Sequence, residues 1–363
     1  MKLNILFLPS DKGGVFHYRV EMISKWLTKL DLARTRILFM DKFGKGDLVW
    51  SDIIICQRKY DSSEFKGVFE QSKEGVKQME SAGIKFPKLF IYDTDDYLHD
   101  VPKNNPCYAS YKPNSPIFKV MEEWIKKSDT LSVSTKKLAE RYRYLNKNLI
   151  INPNSVDTEN WEFRYKFNRP VKYKDQIRIG FAGSNTHYDD LKLIVRDLKY
   201  VQEHYSNTTL VIFGIQAGPV VSNTDLRLLF KDIPRVEFEE MVEVRNYPIK
   251  LRSLHLDIGI APLVDHQFNQ SKSAIKFYEY SMCGIPTIAS KVGEYCEVID
   301  KTRGILAKQN DWFKSLKLLI ENAEYRKVMG KTAQNYVLRE RSASVIIPKW
   351  YENYLSEWGK LCQ

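Results

Sequence analysis

Two lysines and a glutamate, Lys272, Lys276 and Glu279, stand in the stretch FNQSKSAIKFYEYSMCGIPTIAS, residues 268–290. Read as one helix over 271–282, spacings of four and three put all three on a single face. Ile275, Tyr278 and Met282 then take the buried side, Gly284 ends the helix and Pro286 opens a strand. Cations at a helix N-terminus oppose the macrodipole. An anion bound there resolves the conflict: backbone amides and lysines share it, and Glu279 accepts hydrogen bonds from sugar hydroxyls. That arrangement describes a nucleotide-diphosphate site. The alternative is a solvated Lys276–Glu279 pair, worth tenths of a kcal/mol.

Two further loops have the composition of anion cradles. SDKGGVFHYR, residues 10–19, carries Gly13 and Gly14 between an apolar run and a helical pattern. Paired glycines let a backbone approach a ligand, and the following helix start favours anions. A plain tight turn reads equally well, and the GxGxxG dinucleotide fingerprint is absent. GFAGSNTHYDDL, residues 180–191, repeats the arrangement with Gly183, Ser184 and His187; a lone loop histidine is either a ligand contact or simply exposed. The acidic loop DTDD holds Asp93, Asp95 and Asp96, with His99 three residues on. It is either a helix-capping cluster or a set that orients a hydroxyl.

The elements that would position these groups alternate strand and helix. Short apolar runs at 3–9, 36–40, 52–57, 88–93 and 129–135 are separated by helical patterns, the first with Val20, Ile23, Leu27 and Leu30 in register. This predicts an open, doubly wound parallel sheet. The polar, aperiodic stretch 152–176 breaks the pattern. It restarts at 177–184 and continues through 209–214, 235–239, 256–263, 286–290 and a short edge at 304–307. The fold class is therefore α/β, with two Rossmann-like domains facing a central cleft. Domain 1–160, linker 161–176, domain 177–335 and C-terminal helices 336–363 follow. Ligands of such sheets bind beyond the carboxyl ends of the strands, where all the loops above lie.

Composition narrows the partners. Lysine and arginine number 56 against 45 acidic residues, a net charge of +11. That suits an anionic partner, or a solvated lysine-rich surface, since the lysines are spread along the chain. Five cysteines with no CxxC pair argue against a disulfide framework or zinc site. No apolar run reaches membrane-span length, and the N-terminal run is too short for a signal peptide, so a cytoplasmic protein is expected, with any membrane contact peripheral.

The motif FNQSKSAIKFYEY followed by CGIP resembles the nucleotide-sugar site of retaining GT-B glycosyltransferases of the large GT4-like group. In that group a helix carries two glutamates about two turns apart; Glu279 takes the second place, and Ser271 stands where the first would be. The likeness extends through IYDTDDYLHDVP, VSTKKLAE, NPNSVD and VGEYCEVI. It implies transfer of a sugar, with retained configuration, from a nucleotide-diphosphate sugar to a glycan or lipid-linked glycan. It places Gly13, Gly14, Gly183, Ser184, His187, Ser273 and Glu279 on the donor. Lys272 and Lys276 become the groups that stabilise the departing diphosphate, with Asp95 beside the reacting sugar. His17, Arg19, Asp93, Asp96 and His99 become acceptor-side candidates. The last helix, around Trp350 and Trp358, is expected to cross back onto the first domain. No metal or other cofactor is implied, because DTDD lies far in sequence from the donor motif. Two other readings use the same residues: sugar transfer to modified DNA bases, with Tyr108 and Tyr111 as exposed stacking groups, and a non-catalytic nucleotide-binding module with a decayed site.

Overall fold

A computed structural model describes residues 2–162, 167–218, 220 and 222–362. Residues 163–166, inside the predicted linker, lie outside the described residues. The chain forms two compact units, one of Met1–Asp100, Ala109–Ser155 and Ala343–Gln363, the other of Val101–Tyr108 and Val156–Ser342.

The first unit holds a six-stranded parallel sheet. Its strands are β1 (Asn4–Leu8), β2 (Arg34–Ile37), β3 (Ile53–Gln57), β4 (Leu89–Thr94), β5 (Thr130–Val133) and β6 (Leu149–Ile151). They are ordered β2-β1-β3-β4-β5-β6. The continuous apolar runs of β1, β3 and β4 are buried on both faces, as a helix-covered parallel sheet requires. The run at 36–40 forms only the end of β2, and Met40–Lys42 makes a separate tight turn. The first helical pattern is interrupted by one wider π-type turn, His17–Glu21, before Met22–Lys29. The chain's last helix, Ala343–Leu361, packs in this unit against Met22–Lys29, with Ile347, Trp350 and Tyr354 in the same core as Ile23 and Leu27.

The second unit holds β7 (Ile177–Ala182), β8 (Thr208–Ile215), β9 (Val236–Glu240), β10 (Ile258–Ala261), β11 (Thr287–Ser290) and β12 (Ile305–Ala307). All are parallel, in the order β12-β11-β10-β7-β8-β9. The order reverses between β7 and β10, the place where an open α/β sheet forms a ligand crevice beyond its carboxyl ends. The two strands pair only at Ile258↔Ile179 and Gly259↔Gly180. Beyond that, Tyr280 enters the gap: its hydroxyl accepts from the Ala182 amide at 2.8 Å and donates to the Ile260 carbonyl at 3.2 Å. Gly259 makes this possible, because a Cβ there would lie 2.6 Å from the Tyr280 ring. No helix among the described residues is long and apolar enough to cross a membrane.

Candidate functional site

The residues that close the β7–β10 crevice come from the segment after β7 and from the loop and helices after β10. Lys276 and Glu279 lie on the helix Ile275–Met282. This helix is shorter than the one predicted over 271–282. Gln267–Gln270 is a separate short helix, and Ser271–Ala274 joins the two. Lys272 and Ser273 therefore sit in the joint, and the three charges are not rows of one helical face. Phe277 through Met282 are all buried, so the solvated Lys276–Glu279 surface pair is excluded.

The N-terminus of this helix already has its anion. The Ala274 amide donates to the Glu294 carboxylate at 2.7 Å, and Arg341 sits 3.7 Å from the other carboxylate oxygen. Burial pushes Glu294 up, and Arg341 with the Ala274 amide pulls against it. The expectation that phosphate and helix amides meet here is corrected: the chain's own glutamate answers the dipole. The Ala274 amide is therefore not free for a ligand.

Lys276 is brought to the end of β7. Its Nζ lies 5.3 Å from the centre of the Phe181 ring, and a Cβ added to Gly183 would stand 3.0 Å from it. Glycine at 183 is thus a condition for the amine to reach this position. Burial pulls the Lys276 amine down to about 8; Glu279 raises it, Lys272 lowers it and Asp190 raises it. Lys272 reaches the same neighbourhood, with Nζ 4.4 Å from the Phe268 ring centre.

The loop after β7 behaves differently from its sequence reading. The Gly183 amide donates to the Phe213 carbonyl at 2.8 Å, and the Thr186 and His187 amides turn back onto Ser184. These amides stabilise the loop itself, so the predicted backbone cradle at 183–184 lacks the Gly183 donor. Ser184 caps the short turn Asn185–His187.

Asp190, not singled out among the sequence candidates, is the residue that ties the crevice together. Its carboxylate accepts from the His187 Nδ1 at 2.8 Å, the Val264 amide at 2.8 Å and the Asn269 Nδ2 at 2.7 Å. It thereby joins the β7 loop, the β10 loop and the Gln267–Gln270 helix. Burial opposes its charge, but the bonds from His187 and Val264 hold it below the usual carboxylate range. Burial, with Lys276 adding to it, pulls His187 down to about 4 against the pull of Asp190. At neutral pH the imidazole is therefore neutral, its proton is on Nδ1 facing Asp190, and Nε2 is an acceptor. His187 contributes no positive charge to a phosphate; its chemistry suits a hydroxyl.

Asp190→Ala is expected to strand the Val264 and Asn269 donors and cost about 2–4 kcal/mol, from ~1–3 kcal/mol per buried unmet group. Asp190→Asn, which keeps one acceptor oxygen, is expected to lose about half of that. Thermal melts of the two variants check the order; equal melting of Asp190→Ala and the parent would contradict it.

Glu279 is 7% exposed, and its Oε2 accepts from the Tyr247 hydroxyl at 2.9 Å. Tyr247 is stacked on Phe213 at 5.3 Å, so β8 steadies the carboxylate. Ser271, in the place of the missing first glutamate, is fully buried and donates to the Gln267 carbonyl at 2.9 Å. It closes a helical turn and offers no carboxylate to a sugar.

In the first unit, two of the acceptor-side candidates form one buried ion pair. Arg19 Nε and Nη2 donate to the two Asp93 oxygens at 2.9 and 2.6 Å. Its Nη1 donates to the Asn152 carbonyl at 2.7 Å and Asn154 Oδ1 at 2.9 Å, and its guanidinium lies 4.4 Å over the Trp350 ring. Arg19 and Asp93 are 1% and 0% exposed, so neither reaches an acceptor. His99 is also spent: Phe118, Tyr97 and Tyr142 surround it, and its nitrogens face Tyr142 and Glu122. Burial lowers its pKa despite Glu122. His17 pairs with Glu21 at 2.8 Å on its own helix. Tyr108 and Tyr111, expected to be exposed, are half-buried.

Asp95 and Asp96 remain at the end of β4, held by a residue that sequence reasoning missed. Arg58 Nη2 forms an ion pair with Asp95 at 2.7 Å and donates to Asp96. It adopts φ +48°, in the left-handed region, and its amide donates to the Asp93 carbonyl at 2.9 Å. Burial, then repulsion from Asp96, raises Asp95 despite Arg58. Gly13 and Gly14 are exposed at the end of β1; the Gly13 amide donates to Asp11 at 2.7 Å.

Comparison with known proteins agrees with this fold. Residues 176–322 match the family model of glycosyl transferases group 1. No curated protein sequence matches the chain. Among solved structures, a sucrose-phosphate synthase from Thermosynechococcus elongatus aligns over 99% of this chain and 100% of its own, at 12% identity and TM-score 0.63. HepE of Anabaena, in complex with UDP and glucose, aligns over 98% and 100%, at 11% identity and TM-score 0.65. A protein described as a UDP-N-acetylglucosamine 2-epimerase from Listeria monocytogenes aligns over 99% and 98%, at 13% identity and TM-score 0.53. Residues 176–322 thus carry the signature of the glycosyl transferases group 1 family, within a chain whose two sheets have the GT-B fold.

Proposed function

We propose that the chain is a retaining glycosyltransferase that moves a sugar from a nucleotide-diphosphate donor to a glycan or lipid-linked glycan. The observation that carries this reading is Lys276, a half-buried amine held against Gly183 at the strand-order reversal, one turn from Glu279. An ammonium kept in a partly desolvated crevice is stabilised by an anionic ligand that adds to the pull of Glu279 and Asp190. Lys272 and Lys276 hold the diphosphate, and their charge stabilises the leaving oxygen most as negative charge develops there. Glu279 accepts from the ribose hydroxyls. His187 Nε2, a neutral acceptor, takes a hydroxyl of the donor, and Asp190 fixes its tautomer. Asp95 and Asp96 orient the acceptor hydroxyl or the reacting sugar, with Arg58 setting their geometry. That guanidinium already pairs with both carboxylates, which supports a reaction without a metal at DTDD. HepE, crystallised with UDP and glucose on the same fold, supports a nucleotide sugar as co-substrate.

The epimerase neighbour favours one competing reading on the same fold, inversion of a nucleotide sugar without transfer. A panel of UDP-, GDP-, TDP- and ADP-sugars in thermal melts separates the cases when joined to product analysis. One base is expected to raise the melting temperature, by about 2.7 kcal/mol of stabilisation at a hundred times Kd. Its sugar should then be released to water or acceptor with the anomeric configuration kept. Stabilisation followed by an epimerised, still nucleotide-linked sugar would select the second reading; no stabilisation by any donor would remove both.

A further inference from the structure

The carboxyl end of β3 holds a buried polar side chain that the fold does not use. Gln57, the last residue of β3, is 0% exposed. Among the described residues neither its Oε1 nor its Nε2 has a hydrogen-bond partner. Its register partner in β4 is Asp93, so the two side chains leave the same face of the sheet. Asp93 and the groups beyond it are bonded to one another. Asp93 takes Arg19 and the Ser132 hydroxyl, Ser132 Oγ accepts from Asn152 Nδ2, and Asn152 Oδ1 accepts from Asn353. Gln57, on the side toward β1, joins none of these bonds. A carboxamide buried with both ends unmet destabilises a fold, and an apolar side chain of the same size would not.

The neighbouring groups also have bonding capacity left. Arg58 Nε is buried without a hydrogen bond, and Asp95 Oδ1 meets Arg58 Nη2 as an ion pair at 2.7 Å without an aligned hydrogen bond. Arg58 follows Gln57 directly and turns away in the left-handed region, a conformation that non-glycine residues adopt rarely and mostly at functional sites. The carboxamide offers two N–H donors and one carbonyl acceptor, Arg58 one N–H and Asp95 one acceptor. An anion would be repelled by Asp95 and Asp96, an ammonium would face Arg58, and an apolar group would leave every one of these atoms unmet. A neutral group that donates and accepts at adjacent atoms, a pair of neighbouring hydroxyls, matches them all.

We infer that Gln57 is a specificity-determining residue for the acceptor, its carboxamide bonding one hydroxyl of a vicinal diol whose other hydroxyl faces Asp95. This rests on the reading of the chain as a sugar transferase with its acceptor at Asp95 and Asp96. Both ends of the carboxamide are closed to solvent in the ligand-free chain, so the diol reaches them as the adjoining loop moves. Ser10 ties that loop to Gln57 through a bond from its hydroxyl to the Gln57 carbonyl at 3.2 Å, and the exposed Gly13 and Gly14 follow.

Gln57→Met keeps the side-chain length and removes the amide. The ligand-free variant is expected to melt at or above the parent, and the nucleotide sugar that stabilises the parent should stabilise both chains alike. The acceptor probes are methyl glucoside, methyl galactoside and methyl mannoside, followed by saturation-transfer NMR with the full chain. At least one should bind the parent, and Gln57→Met should bind it roughly tenfold more weakly, the upper end for one neutral hydrogen bond. Deoxygenating one hydroxyl of its diol should weaken binding to the parent by a similar factor and cost Gln57→Met nothing further. Equal glycoside affinity in the two chains, a parent that binds no glycoside, or a deoxy analogue bound as well as its parent sugar overturns the inference. Lower melting of Gln57→Met does so too, because the amide would then already be bonded to buried water. A donor that stabilises both chains while the glycosides fail to tell them apart sinks this inference alone; no stabilisation by any nucleotide sugar removes the transferase reading beneath it.

Discussion

Arg19→Met is expected to destabilise the first unit by about 3–5 kcal/mol, the cost of leaving a buried charge without its partner. The Asp93 carboxylate keeps only the Ser132 hydroxyl at 2.7 Å from its present donors, and it has no route to water. The loss spreads beyond the pair. Arg19 also holds the Asn152 carbonyl and Asn154, just before the chain leaves this unit, and it stacks on Trp350 of the last helix. For a unit of this size the melting transition should fall by about 10 °C, from ~2–4 °C per kcal/mol. Arg19→Met combined with Asp93→Leu should recover most of the loss, because a buried pair replaced by apolar residues is often neutral. Scanning calorimetry that resolves the two units checks both. Had Arg19 and Asp93 been acceptor-binding groups, Arg19→Met would slow transfer and leave the transition in place.

The alternation of strands and helices was legible because both sheets are parallel and covered on both faces. That writes them as continuous apolar runs separated by period-3.6 segments. The loops beyond the carboxyl ends of the strands followed from the same pattern, whereas the strand order, and with it the reversal between β7 and β10, did not. What periodicity did not reveal is where a side chain goes once it leaves a loop. Arg19, Asp93 and His99 read as polar groups near a crevice, yet each finds its partners inside the first unit, up to 135 residues away in sequence. Arg58 and Asp190 are the converse case, since the Arg58 carboxylates and the Val264 and Asn269 donors of Asp190 come together only on folding. A signal for Asp190 was present in the sequence: an aspartate three residues after a histidine at a predicted helix start can reach back to the imidazole ring. The break at Ser271–Ala274 was hidden because Lys272, Lys276 and Glu279 fit a continuous helix by spacing alone.

Lys276→Met is expected to push stability and donor capture in opposite directions. The folded protein holds the Lys276 amine at about 8, below its ordinary 10.5, through burial first, with Lys272 adding and Glu279 and Asp190 opposing. At neutral pH the fold therefore carries the cost of a partly desolvated ammonium. Between about pH 8 and 10.5 the folded state has released this proton and the unfolded state has not. The unfolded state then binds more protons, so the contribution of Lys276 to stability rises with pH across that window. On the proposed function donor capture needs the ammonium and runs the other way: kcat/KM, which reports the free enzyme, should fall as pH passes about 8. A bound diphosphate favours the charged form, so the fall in kcat should come at higher pH. Lys276→Met removes the buried charge and should raise the melting temperature of the free protein by a few degrees at about pH 7, with a smaller gain at about pH 9. On that reading the same change should delete a charge-assisted hydrogen bond to the diphosphate worth about 1.5–3 kcal/mol, or roughly 10- to 100-fold in donor affinity. Lys276→Arg should keep part of the affinity and move the alkaline fall out of range, since a guanidinium stays protonated. Melting and donor titration on the same samples read both effects, and equal donor affinity in the parent and Lys276→Met would refute the assignment of Lys276 to the diphosphate.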